Sequence, residues 1–402
     1  MIHRTLTLET APDLNHVCGG DGVLFVRDGV GIAGRGIVAE CGADEVSTVL
    51  SSLDGDAPAT GGPVMLGLVP FLPGGASRFV LPRFTVAKHP DGTATATLIG
   101  RTSADVDDVA FEAALDDAHQ SGPPRPSTNS FRVAPLTPVE SYLSAVAAAR
   151  DEVRSGRISK AVIARDIEIT ADAPIDVHAV LLRLRASFGS SHRYMVGDMI
   201  GASPELLVSV AGRAVRSHPL AGTAPRTGDP ATDARLAAEL VASTKDQIEH
   251  RVVIDMVRDT LLPHCSYLDW EAEPSIVTVA NVQHLGTEIE GALSEPVPHV
   301  LELVRALCPT PALGGHPSAE AIELIGRVEH SARGWYGGAV GWVDAHGQGT
   351  FAVTIRCAEL SPDRRRARLF AGGGIVAASD PHAELAETQA KFQAMLSAIV
   401  RP

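Results

Sequence analysis

The sequence predicts an α+β fold. β-like runs follow one another without helices between them, which argues for antiparallel pairing rather than a doubly wound sheet. One pair, Val23–Val26 and Val30–Ile32, flanks Asp28-Gly29, a hairpin turn signal. The chain's 402 residues, 45% of them hydrophobic, suffice for one large core or two smaller ones.

Taken in order, Met65–Val69 and Phe79–Leu81 read as further strands. Ser121–Pro138 is rich in Pro, Ser and Asn, with Gly122-Pro123-Pro124-Arg125-Pro126 at its centre, and reads as a loop. It separates a β-rich part, residues 1–130, from residues 131–402 within a single structural domain. A helix is expected next, with Thr137 as N-cap, Pro138 first and Glu140 closing a capping box. Strands follow at Ala161–Ile169, Tyr194–Val196, Leu206–Val210, Ala339–Val343, Phe351–Cys357 and Ala367–Phe370. Helices are expected at Ile175–Ser187, Ala231–Ala242, Ser243–Leu262, Val297–Leu307, Ala319–Glu329 and Pro381–Ile399.

A net charge of −14 argues against nucleic acid and anionic membranes as partners. The five cysteines are scattered and never form CxxC, which fits a reduced, cytoplasmic setting. No stretch has the apolar length of a membrane span.

Several motifs are rejected. Gly29–Gly34 matches GxGxxG but sits in the hairpin. Gly372–Ala377 resembles the GxGxxA variant but leaves no room for a βαβ unit. Asp246-Gln247-Ile248-Glu249-His250 has Asp where a zinc helix needs its first His.

The C-terminal segment carries chemistry. Asp380 is a good N-cap and Pro381 suits the first helical position. Glu384, Glu387 and Lys391 then share one helix face. The glycines Gly372, Gly373 and Gly374 just before it could offer an anion nest. A second acidic face carries Asp246 and Glu249 on a helix that Ser243 can cap. Two such faces can jointly hold Mg²⁺, which takes few protein ligands. Lys160 stands at a strand mouth, where cationic neighbours could make it a neutral base. Glu205 heads another strand, where burial would raise its pKa and let it donate a proton. Pro219–Thr223 reads as a tight turn that could approach a ligand closely.

These segments, in this order, resemble the chorismate-utilising enzymes. The matching pieces include SKAVIAR (159–165), GASPELL (201–207), PLAGTAPR (219–226), STKDQIEH (243–250), NVQHLGT (281–287), CPTPALGGHP (308–317), RGWYGGAVG (333–341), TIRCAE (354–359), AGGGIV (371–376) and ELAETQAK (384–391). The resemblance spans roughly Pro138 to the end. It implies two large antiparallel sheets packed as a sandwich, helices outside and the site in a cleft. It implies Lys160 as general base and Glu205 as general acid. Glu249 and Glu387 would hold Mg²⁺, with Asp246 and Glu384 outside them through water. Gly222, Thr223, Tyr336, Arg356, Gly372, Gly373, Gly374 and Lys391 match substrate-contacting positions, and His284 a supporting one.

Three positions discriminate within the family. Ala221 stands where aminodeoxychorismate synthases carry a nucleophilic lysine. Lys160 stands where the ammonia-using enzymes carry glutamine. Ala312-Leu313 replaces the threonine typical of salicylate synthases. The resemblance therefore implies an isochorismate synthase of menaquinone or siderophore type, an isomerase acting on chorismate. It would work as a monomer without a glutaminase subunit. Salicylate synthase and anthranilate synthase component I are the weaker alternatives.

Overall fold

The computed structural model describes residues 1–56, 61–119, 129–279 and 281–401. The expected Gly122–Pro126 loop lies outside the described residues. The Val23–Arg27 and Val30–Cys41 strands form the expected hairpin. Asp28 and Gly29 have φ of 50° and 80°, the left-handed pair that matches strand twist.

The sheet forks at one strand, Arg78–Lys88. One edge of it pairs with Val30–Cys41. Its other edge is shared, Ala94–Gly100 taking one half and Val64–Val69 the other. One arm runs from Val30–Cys41 through Val23–Arg27, His192–Val196, Met199–Ser203, Cys357–Leu360 and Arg366–Ile375 to Lys160–Ala171. The other runs from Val64–Val69 through Ala339–Asp344, Gly349–Val353, Leu206–Ala211, Ala214–His218 and Ile289–Leu293 to Cys265–Trp270. All these pairings are antiparallel. Strands from before residue 130 thus form the junction from which both arms start.

The two arms enclose the main core. Phe25, Tyr194, Cys357 and Phe370 of one arm share it with Leu66, Val208, Val340 and Phe351 of the other. Alternation puts Leu24, Met195 and Leu369 on the opposite face of the first arm. There the helices Val177–Phe188 and Pro381–Val400 cover them. The expected α+β sandwich with helices outside is therefore the observed fold. No described helix is long and apolar enough to cross a membrane.

Three local expectations are corrected. Thr137 does not cap the Val139–Arg154 helix, which starts at Pro138 without a side-chain cap. Its hydroxyl donates to the buried Asp166 carboxylate, a partner that local sequence cannot announce. The expected Phe351–Cys357 strand breaks at Thr354–Arg356, where Arg356 has φ of 50°. Pro219–Thr223 is no turn: strand Leu220–Pro225 carries a bulge there, with Gly222 at φ 70°.

Phe351 is fully buried, its ring centroid 6.3 Å from that of Phe79 between the arms. Phe351→Ala should cost about 3–5 kcal/mol in urea unfolding. A loss below about 1 kcal/mol would contradict this placement of the core.

Candidate active site

The site is organised by two adjacent strands and two helices. Strand Arg366–Ile375 lies beside Lys160–Ala171, with Gly374 opposite Val162 and Ile375 opposite Ala161. Helix Thr244–Leu261 brings Asp246 and Glu249; Ser243 caps it, accepting from the Asp246 N–H. Helix Pro381–Val400 brings Glu384, Glu387 and Lys391. Asp380 caps it by accepting from His382 and Ala383.

Arg165 pins that last helix to the strand of Lys160. Its guanidinium donates to Thr388 Oγ1 at 2.8 Å and to Gln389 Oε1 at 3.0 Å. It also lies 4.9 Å from the Phe392 ring centroid and 5.7 Å from that of Tyr142. The helix register is thereby tied to the sheet one residue from Glu387.

The cleft is lined by Glu205, Gly222, Thr223, Asp246, Glu249, Tyr336, Arg356, Gly372, Gly374, Glu387 and Lys391. Ala221, His284, Ala312 and Leu313 line it as well. Lys160, Gly373 and Glu384 stand just behind this wall. The Lys160 side chain is 2% exposed, and its Nζ lies 2.8 Å from Glu249 Oε1. Its close neighbour is thus an anion rather than the cations that would favour a neutral amine. The strand start aims the side chain at the acidic face of helix Thr244–Leu261.

The glycines lie in extended strand, with Gly372 and Gly374 at the cleft. They continue the regular ladder, and what they supply is room. A Cβ on Gly374 would stand 2.5 Å from Glu249 Oε1 and 3.0 Å from Lys160 Cε. One on Gly373 would stand 2.6 Å from Glu384 Oε2. Lys391 spans the same region, donating to the Gly372 carbonyl at 2.8 Å and meeting Glu387 Oε1 at 2.6 Å.

Electrostatics separates the carboxyls. Burial pushes Glu205 up to about 8, against the pull of Lys160, Arg356 and Lys391. Burial acts on Glu249 most strongly of any single cause, but the Lys160 ammonium together with Lys245 and Lys391 outweighs it and holds that carboxyl below its usual range. Burial and the Glu387 charge push Glu384 up to about 7. Burial raises Asp246 too, with Glu249 and Glu387 adding to it against the Ser243 hydrogen bond.

Burial and Arg356 push His284 down to about 3, so it is neutral. Its Nδ1 donates to the Gly222 carbonyl at 3.0 Å, and its Nε2 accepts from Arg356 Nη2 at 3.1 Å. This chain of contacts fixes the tautomer and orients Arg356. It also leaves Arg356 Nε buried without a partner among the described residues. Tyr336 stacks on Phe370 with centroids 5.3 Å apart.

The donor set suits a hard cation. Asp246, Glu249, Glu384 and Glu387 offer only carboxylate oxygens. Glu384 Oε2 is buried with no hydrogen-bond partner among the described residues. Asp246 and Glu384 are held above their usual range by burial and by the charges of Glu249 and Glu387, a repulsion that a cation would relieve. Among the described residues no three acidic, His or Cys side chains already form a closed cage. Mg²⁺ does not require one, since water and substrate oxygens complete its shell. His250 takes no part: its Nε2 lies 2.8 Å from Thr287 Oγ1.

Residues 58–400 match the family described as chorismate binding enzyme. The chain belongs to the chorismate-binding enzyme family. Its MenF relative from Mycobacterium tuberculosis is 44% identical over 279 residues, 66% of this chain and 75% of that one. Isochorismate synthase DhbC of Bacillus subtilis is 37% identical over 350 residues, 84% of this chain and 81% of that one. The solved structure of MenF, the menaquinone-specific isochorismate synthase from Escherichia coli, superposes with a TM-score of 0.84. That likeness covers 99% of this chain and 94% of that one at 23% identity, and it speaks to the fold.

Among the charged side chains that line this cleft, one escapes the sequence reading. Lys245 lines it and lies 3.8 Å from Glu384 Oε1. Its position one residue before Asp246, at the helix start, was the available signal. Gly374→Ala should displace the Glu249 carboxylate and weaken Mg²⁺ binding at least about tenfold by calorimetry, with the fold intact. Unchanged affinity would contradict the assignment of Glu249 as a metal ligand.

Proposed function

We propose that this protein is an isochorismate synthase, converting chorismate to isochorismate. The observation that carries this reading is Glu205. It is a carboxyl that burial keeps protonated at neutral pH. It shares a cleft with the cations Arg356 and Lys391 and with the carboxylates Glu249 and Glu387. The relatives named isochorismate synthases support it. So does Ala221, an apolar residue that cannot act as a nucleophile in the cleft wall.

In the proposed mechanism Lys160 reacts as the neutral amine, so the ammonium paired with Glu249 first loses its proton; the amine then takes a proton from a water, and that oxygen bonds to ring carbon C2. The ring double bonds shift, the C4–O bond breaks, and Glu205 delivers its proton to the departing hydroxyl. Atoms balance: one water enters and one leaves. Arg356 and Lys391 hold the two substrate carboxylates, Arg356 through a planar fork suited to a carboxylate. Glu249 and Glu387 would hold Mg²⁺, with Asp246 and Glu384 outside them. When bound, the ion supplies positive charge that neutralises and orients a substrate carboxylate. Glu249 would then serve both the cation and Lys160. Each proton transfer is worth roughly a hundred- to ten-thousandfold in rate.

Chorismate should give isochorismate as the sole product, and EDTA should abolish its formation, as followed by liquid chromatography. Salicylate with pyruvate, or an ammonia-dependent product, would contradict the reading.

Glu205 must donate a proton, and its pKa is raised, so it is competent below about 8 and fails above it. Turnover should therefore fall as pH rises through about 8. Glu205→Gln should lower kcat by roughly a hundred- to ten-thousandfold without unfolding the protein. A flat alkaline limb, or normal kcat in the variant, would refute the assigned role.

A further inference from the structure

Strand Lys160–Ala171 carries the lysine, and part of its outer edge has no strand beside it. Gly315–His316 pairs with Ala161 and Lys160, and Phe131–Pro135 pairs with Ile167–Ala171. Between them, Val162 donates its N–H to the Gly314 carbonyl at 2.9 Å. The next two ladder groups are met by side chains. Arg333 Nη2 donates to the Val162 carbonyl at 2.7 Å, and Glu329 Oε1 accepts from the Ala164 N–H at 2.8 Å. The two side chains thus stand in for a missing strand.

The same guanidinium reaches further. Nη1 donates to the Leu313 carbonyl at 2.7 Å, and Nε to Glu329 Oε2 at 2.9 Å. Its Cζ lies 4.2 Å from the Phe71 ring centroid and 5.9 Å from that of Tyr336. The Arg333 and Glu329 side chains are 3% and 6% exposed, so nothing from solvent competes for them. Val162, Leu313 and Tyr336 each line the cleft. Val162 comes from a strand distant in the chain from the two turns that carry Leu313 and Tyr336, and Arg333 touches all three.

We propose that Arg333, locked by Glu329, is a positioning residue that sets the spacing of the three cleft walls Val162, Leu313 and Tyr336. It touches no substrate; it fixes the width of the slot in which the ring is held. The choice of chorismate as probe rests on the isochorismate synthase reading. The wall-spacing claim itself does not. Lysine cannot reproduce the effect, because one ammonium cannot serve two carbonyls and a carboxylate in a planar fork.

The test compares Arg333→Lys and Glu329→Gln with the wild type, by amide hydrogen exchange without substrate and by steady-state kinetics with chorismate. Exchange should accelerate locally at Val162–Ala164 and Leu313–Gly315, with the remaining sheet unchanged. KM should rise at least about fivefold while kcat changes less than about threefold, the mark of weakened binding rather than lost chemistry. Glu329→Gln keeps an oxygen for the Ala164 N–H. It carries the test if Arg333→Lys does not fold. A pair that merely stabilises the fold would lower the melting temperature and leave KM and local exchange untouched; that result overturns the proposal. Faster exchange with unchanged KM overturns it as well. A wild type that does not turn over chorismate refutes the functional reading alone. Exchange then decides the wall-spacing claim, local acceleration upholding it and unchanged protection overturning it.

Discussion

The contact between Lys160 and Glu249 is the constraint on which the rest of the site depends. It joins the first residue of a sheet strand to a helix packed across that strand's end. A buried ion pair gains little net stability, because desolvation offsets the attraction, but removing one partner strands the other charge in a dry place. The pair therefore specifies position more than it stabilises. It requires Gly374, since a Cβ there would meet both side chains. It requires the Ser243 cap, which starts the helix so that Asp246 and Glu249 face inward. It also brings the acidic face of one helix toward that of the other, which Arg165 holds in register.

The same dry surroundings divide the carboxyls into two roles. Glu249 is buried beside an ammonium and stays ionised. Glu205 is buried with cations less closely engaged, and desolvation wins. One cleft thus holds a carboxyl suited to give a proton and carboxylates suited to hold a cation. Neutral His284, fixed between Gly222 and Arg356, lets the guanidinium face the cleft without a buried counter-ion. The left-handed backbone at Arg356 breaks the strand there, a local strain of the kind that sites tolerate when surrounding contacts over-determine them.

Much of this was legible locally. The Asp28-Gly29 hairpin, the Ser243 and Asp380 caps and the strand beginning at Lys160 depend on neighbours in sequence, and they stand where the patterns put them. Long-range partners were not legible. Nothing near Arg78–Lys88 announces that this strand serves both arms, because its two pairings on one edge are made by segments on either side of it in the chain. Thr137 looks like an N-cap until Asp166, distant in sequence, claims its hydroxyl. The glycines 372–374 read as backbone open to an anion; the room they leave for Glu249 and Glu384 is visible only once those carboxyls are seen against them. Lys160 could be placed at a strand mouth from sequence, but only the crossing helix reveals its carboxylate partner. Motif order identified the family where periodicity alone could not.

The central claim is that a water, not the substrate's own hydroxyl, supplies the new oxygen at C2. Turnover of chorismate in heavy-oxygen water, with mass spectrometry of the product, tests it directly. The account predicts isochorismate carrying one heavy oxygen, located at the C2 hydroxyl. Isochorismate formed without heavy oxygen would mean that the hydroxyl migrates within the substrate, and would contradict the roles given to Lys160 and Glu205.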